Sequence, residues 1–112
     1  MLSPELPGVR TVLEGLGFEV EEGVAVKGLS GYVHTYEFRA ARGGRALLVS
    51  VKPADPKLLL LELARALDVR EEVLLLVRGR LPPGFKDPPN SRVKLVTFES
   101  LRELEEELKK IL

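Results

Sequence analysis

Glu37, Ser50 and Lys52 are the residues whose types and spacing could do chemistry together. They lie in the stretch HTYEFRAARGGRALLVSVK, which reads as two strands joined by Gly43-Gly44. A two-residue Gly-Gly loop suits a type I′ turn, because both central positions need positive φ. Arg42 then pairs with Arg45, Glu37 lies opposite Ser50, and Thr35 lies opposite Lys52. Opposite residues share a face, as do alternate residues along one strand. Glu37, Ser50 and Lys52 therefore project from one side of the sheet. Such a group is either a metal-dependent site lacking one ligand or a hairpin with a cross-strand ion pair, worth a few tenths to about 1 kcal/mol.

The elements that must hold this hairpin follow from the flanking pattern. Ser3-Pro4-Glu5 resembles a helix start, and Leu6, Val9, Val12, Leu13 and Leu16 continue at helical spacing until Gly17. Residues 18–26 alternate in part, with Gly23 breaking the run as a bulge or turn would. The hairpin strands are expected at 32–41 and 45–52. Asp55 as N-cap and Pro56 at the first position open a helix, LLLLELARALDV, apolar on most sides and expected to be core. EVLLLVR has the character of a strand buried on both faces, and RVKLVT forms another. Between them, residues 79–91 are a proline-rich loop. Glu99 or Ser100 opens a closing amphipathic helix with the stripe Leu101, Leu104, Leu108 and Ile111, which suits core packing or a homodimer seam. The expectation is a single α/β domain over 1–112, in the order αβββαββα, with a mixed central sheet flanked by helices.

That order, with Glu37 in GLSGYVHTYEF and Lys52 in LLVSVK, resembles the restriction-endonuclease-like, PD-(D/E)xK superfamily, in its small archaeal-type and Mrr-like forms. LEGLGFEVEEG is similar to that family's first helix and strand, and VKLVTFESLRELEEEL to its closing pair. The resemblance implies a divalent metal held by two acids on neighbouring strands, with a lysine two residues past the second acid positioning water. Glu37 falls at the first acid and Lys52 at the lysine, but Ser50 stands in place of the second acid. A neutral hydroxyl is a feeble Mg²⁺ ligand, so the motif reads as a vestigial site in which Glu37 and Lys52 neutralise each other. A relocated acid would restore it, and Glu5, Glu14, Glu19 and Glu21 are the candidates for that role.

Composition narrows the partners. Seventeen basic residues balance seventeen acidic ones, so no global field draws nucleic acid or membrane. A local basic patch would have to serve DNA, and Arg39, Arg42, Arg45, Arg78, Arg80 and Lys86 are its candidates. The absence of cysteine excludes disulfides, thiolate zinc sites and a Cys nucleophile. His34 is the sole histidine and reads as a packed or surface residue. Gly43-Gly44 is no phosphate loop, since neither a helix nor a GK[ST] follows. With no signal-like start and no long apolar run, a cytoplasmic location without membrane contact is expected. The Leu-, Arg-, Glu- and Pro-rich composition suits a thermophile.

The functional expectation is a non-catalytic nuclease-fold module that binds nucleic acid or a protein partner and carries no cofactor. One alternative is an Mg²⁺-dependent DNA endonuclease whose second acidic ligand has moved, with Glu37 as its metal residue. The other is an interaction or structural domain with no nucleic-acid role.

Overall fold

Local signals fix the element ends in the computed structural model, which describes residues 6–81, 83 and 92–112. Gly43 and Gly44 both adopt positive φ, 57° and 80°, so the hairpin turn forms as the sequence expects and Arg42 pairs with Arg45. Asp55 caps α2 (Pro56–Leu67), its carboxylate accepting from the backbone N–H groups of Lys57 and Leu58, with Pro56 opening the helix. Ser100 caps α3 (Leu101–Ile111) by accepting from Glu103 N–H, and Glu103 reaches back to Glu99 N–H. The expected cap at Ser3-Pro4 lies outside the described residues. The first helix, α1, spans Leu6–Gly15.

Five strands build one sheet in sequence order: β1 (Glu19–Lys27), β2 (Val33–Arg42), β3 (Arg45–Pro53), β4 (Glu72–Arg78) and β5 (Val93–Phe98). The pairs β1–β2 and β2–β3 are antiparallel, whereas β3–β4 and β4–β5 are parallel. The element order is αβββαββα and the sheet is mixed, as expected from the sequence. α1 and α3 cover one face over a core of Leu13, Phe38, Val49, Leu74, Leu76 and Phe98, among others. α2 covers the other, above Tyr36, Leu48, Val73, Leu75 and Val77. β3 and β4 lie between these layers and are buried on both faces, which explains their continuous apolar runs. No helix among the described residues is long and apolar enough to cross a membrane.

Two irregularities shape the ground around the hairpin. Gly23 sits inside β1 at φ 63°, and the β1–β2 register steps from Glu22↔Phe38 to Val24↔Tyr36 without a pair at Gly23. The β2–β3 ladder runs from Arg42↔Arg45 to Phe38↔Val49 and stops there. Glu37 and Ser50 are thus the first residues beyond the ladder, where β2 stays with β1 and β3 continues beside β4. Beyond that point, contact between the two strands passes through side chains.

Candidate functional site

Lys52 bridges the gap where β2 and β3 part. Its Nζ donates to Glu37 Oε1 at 2.5 Å, so the two residues singled out in the sequence do meet. Ser50 is almost fully buried, and its Oγ donates to Glu62 Oε2 at 3.0 Å. Glu62 comes from α2 and is 4% exposed, the single buried acid among the described residues. Its Oε1 lies 3.8 Å from Lys52 Nζ and accepts from Arg65 Nη1 at 2.7 Å. Two carboxylates therefore converge on one ammonium, with a serine hydroxyl fixing the orientation of the second acid.

The helix explains this placement. Leu59, Glu62 and Ala66 fall three and four residues apart and share the face that α2 turns to the sheet. An acid on that face is tolerated only if paired and hydrogen-bonded. Ser50, Arg65 and Lys52 meet that demand. Arg65 is itself held, stacking 5.1 Å from the Tyr36 ring centroid and donating to Thr35 O. The charges of Glu37 and Glu62 balance those of Lys52 and Arg65. Glu37 also lines a small surface cleft with Leu6, Pro7, Glu22, Gly23 and Phe38, of which Ser50, Lys52 and Glu62 form no part.

The described acids among those expected to rescue the motif are placed away from Lys52. Glu14 pairs with Arg10 on α1, while Glu19 and Glu21 are exposed on β1 opposite Ala41 and Arg39. Glu5 lies outside the described residues. Glu62 is the acid that lies beside Ser50 and Lys52, on a helix that the sequence reads as core. The available signal was a lone glutamate in LLLLELARAL, where an acid on an apolar helix needs a partner.

Several of the cations proposed for a basic patch are engaged with other groups. Arg42 stacks 4.4 Å over Phe18 and donates to Leu16 O and Leu112 O, which makes it a brace between α1, β2 and the end of α3. Arg45 pairs with Glu72 at 2.9 Å, and Arg80 with Glu99 at 3.2 Å. Arg39 is exposed opposite Glu21. Arg42 and Arg45 flank the hairpin turn, whereas Arg78 and Arg80 lie at or past the C-terminal end of β4, beside Pro53 at the other end of β3. Lys86 lies outside the described residues. His34 is a packing residue, its Nε2 2.6 Å from Asp68 Oδ2. Asp68 also accepts from Ser30 N–H and Ser30 Oγ, and these hydrogen bonds, with His34, lower its pKa from 3.8 to about 2.

The oxygen donors suit a hard divalent ion. Mg²⁺ is commonly bound by one or two carboxylates, with waters and substrate phosphates completing the octahedron. Here two carboxylates flank one ammonium, which marks where a positive charge is favoured. Among the described residues no group of three or more His, Cys, Asp and Glu side chains is placed to hold a metal ion, so Glu37 and Glu62 are the two carboxylates this cluster offers.

Comparison with known proteins finds a fold match without a functional one. No family model and no curated protein matches the chain. A solved structure described as a protein of unknown function, AF1548, superposes with a TM-score of 0.63 at 19% identity. The match covers 94% of this chain but 66% of that protein, just short of two thirds of its length. At that identity the likeness speaks for the fold alone.

Proposed function

We propose that the chain is a divalent-metal-dependent phosphodiesterase of nuclease type, with Glu37 and Glu62 as its carboxylates and Lys52 as its lysine. The observation that carries this reading is Glu62, a buried acid aimed at Ser50 and Lys52 where the strand itself offers no second carboxylate. It would serve as the relocated acid that the restriction-endonuclease-like resemblance calls for. Bound by Glu37, Glu62 and a substrate phosphate, an Mg²⁺ ion would neutralise phosphate charge and lower the pKa of water.

The chain's own residues have distinct tasks. Ser50 and Arg65 hold the Glu62 carboxylate on the sheet, so it is oriented before anything binds. Lys52 donates to Glu37, and with a cation on that acid its ammonium would be available to orient water or meet charge on the phosphate. The burial of Glu62 under α2 excludes bulk water and strengthens each of these interactions. A non-catalytic nucleic-acid module has less to draw on, because Arg42 braces the backbone and Arg45 and Arg80 pair with acids.

The test is cleavage of single-stranded, duplex and branched DNA with Mg²⁺ or Mn²⁺. Wild type should cut at least one substrate, and Glu37→Gln, Glu62→Gln and Lys52→Met should each lower the rate by a factor of a hundred or more, on the order of 3 kcal/mol of barrier. Undiminished cleavage by Glu62→Gln would overturn the assignment.

A further inference from the structure

The two edges of the sheet differ. β1 exposes Glu19, Glu21, Glu22 and Lys27, charges of the kind that keep an edge strand from pairing with another chain. β5, at the other edge, carries one charge, Lys94, and none of its side chains is exposed. Val73 N–H donates to Arg92 O and Gly79 N–H to Phe98 O, so the even-numbered residues of β5 bond to β4. Main-chain groups alternate in direction along a strand. Val93, Leu95 and Thr97 therefore turn N–H and C=O outward, and these groups have no hydrogen-bond partner among the described residues. Alternate side chains share a face: Val96 and Phe98 enter the core under α1 and α3, which puts Lys94 on the α3 side. There Lys94, Val96, Glu103, Glu107 and Ile111 line an open groove between the β5 edge and α3. Among the described residues Lys94 has no ion-pair partner, and Glu107 pairs only with exposed Lys110, at 3.4 Å.

We infer that β5 pairs antiparallel with the β5 of a second copy about a two-fold axis at Leu95, joining the two sheets edge to edge. Outward main-chain groups are satisfied by another extended chain, the main-chain bonds giving affinity and alternate side chains giving specificity. Centring on Leu95 uses every outward group. Val93 pairs with Thr97 of the second copy, Leu95 with Leu95 and Thr97 with Val93, each pair exchanging two hydrogen bonds. A shift of either strand by two residues leaves one of the three without a partner. The charges favour the same register. α3 runs back along β5, and at about 1.5 Å per helical residue and 3.3 Å per strand residue their midpoints, Glu106 and Leu95–Val96, are level. Lys94 falls opposite Val96 of the second copy in a non-hydrogen-bonded pair, where side chains approach most closely. It thus enters that copy's groove at the level of Glu107, and the two-fold places the second Lys94 beside the first Glu107. The chain's own Lys94 supplies the cation that the acidic groove calls for, which favours a second copy over an unrelated segment. Glu37, Lys52 and Glu62 lie on β2, β3 and α2, so the inference is independent of the metal reading.

Sedimentation velocity on the full chain, from about 1 to 300 μM at low ionic strength, tests it directly over a span suited to micromolar affinities. The wild type should sediment as a dimer at the upper end. Thr97→Pro removes an outward N–H that β4 does not use, a place where an edge strand tolerates proline. It should unfold cooperatively like the wild type, yet raise the dissociation constant about tenfold or more. Lys94→Glu and Glu107→Lys should each weaken the dimer about tenfold, and the double variant should return to within about threefold of wild type. If Thr97→Pro does not fold, the charge exchange decides. A wild type that is monomeric throughout overturns the inference, as does a dimer indifferent to Thr97→Pro. A double variant no tighter than either single one also overturns it, because the contact then lies elsewhere.

Discussion

Replacing Glu62 with glutamine removes one charge from a balanced set of four and keeps the shape. Two hydrogen bonds then lose their ionic character, those from Arg65 at 2.7 Å and Ser50 at 3.0 Å. Hydrogen bonds to charged groups are worth about 1.5–3 kcal/mol against about 0.5–1.5 for neutral pairs, so each loses about 1 kcal/mol. The attraction to Lys52 at 3.8 Å is bounded by about 4 kcal/mol at an effective dielectric of 20. Most of it is recovered, because Lys52 keeps Glu37 and is partly solvated. The expected cost is about 2–4 kcal/mol, and with a urea slope near 1.5 kcal/mol/M the unfolding midpoint falls by about 1–3 M. In an Arg65→Gln background the same substitution should cost less by about 1 kcal/mol or more, because the two side chains share one interaction. A loss below about 0.5 kcal/mol in the single variant is typical of an exposed site. That result would refute the claim that the carboxylate is buried and held.

Three further outcomes follow from individual contacts. The Tyr36 hydroxyl is buried without a hydrogen-bond partner among the described residues, and burial pushes its pKa up to about 12. Tyr36→Phe should therefore be neutral or stabilising by up to about 1 kcal/mol in urea unfolding, and it should remove the ultraviolet phenolate step near pH 12. For Asp68, a folded pKa of about 2 lies below the ordinary 3.8, so its contribution is present above pH 3.8 and lost as pH falls through about 2. Thermal melts of wild type and Asp68→Asn should differ by a constant amount at neutral pH and converge over that acid range. A Cβ at Gly28 would lie 2.0 Å from Asp68 Oδ2 and 3.0 Å from its backbone O, so Gly28→Ala should lower stability by about 1–3 kcal/mol.

The fold was legible where local chemistry is decisive. Gly-Gly at 43–44 determined the turn, Asp55-Pro56 and Ser100 the helix starts, and the uninterrupted apolar runs of β3 and β4 their place in the middle of the sheet. Of the closing helix's stripe, Leu104 and Leu108 are wholly buried against the core, whereas Leu101 and Ile111 are more than a third exposed. The site was half legible. Turn geometry brought Glu37 and Lys52 together, but the ladder ends one pair short of Glu37 and Ser50. Glu62 was missed because α2 reads as apolar all round, and periodicity alone cannot say which stripe faces inward. The sheet chose the stripe with the acid, since Ser50 and Lys52 stood ready to pair with it. This choice turned the leucines out.

Calorimetric titration of Mn²⁺ into wild type, Glu37→Gln and Glu62→Gln, with circular dichroism confirming that each variant is folded, is the most direct test of the central claim. One site in the wild type, lost or weakened at least tenfold in both variants, is the expected result. No binding by the wild type up to millimolar Mn²⁺, or binding by Glu62→Gln as tight as by the wild type, would contradict the assignment of Glu62 as the second carboxylate.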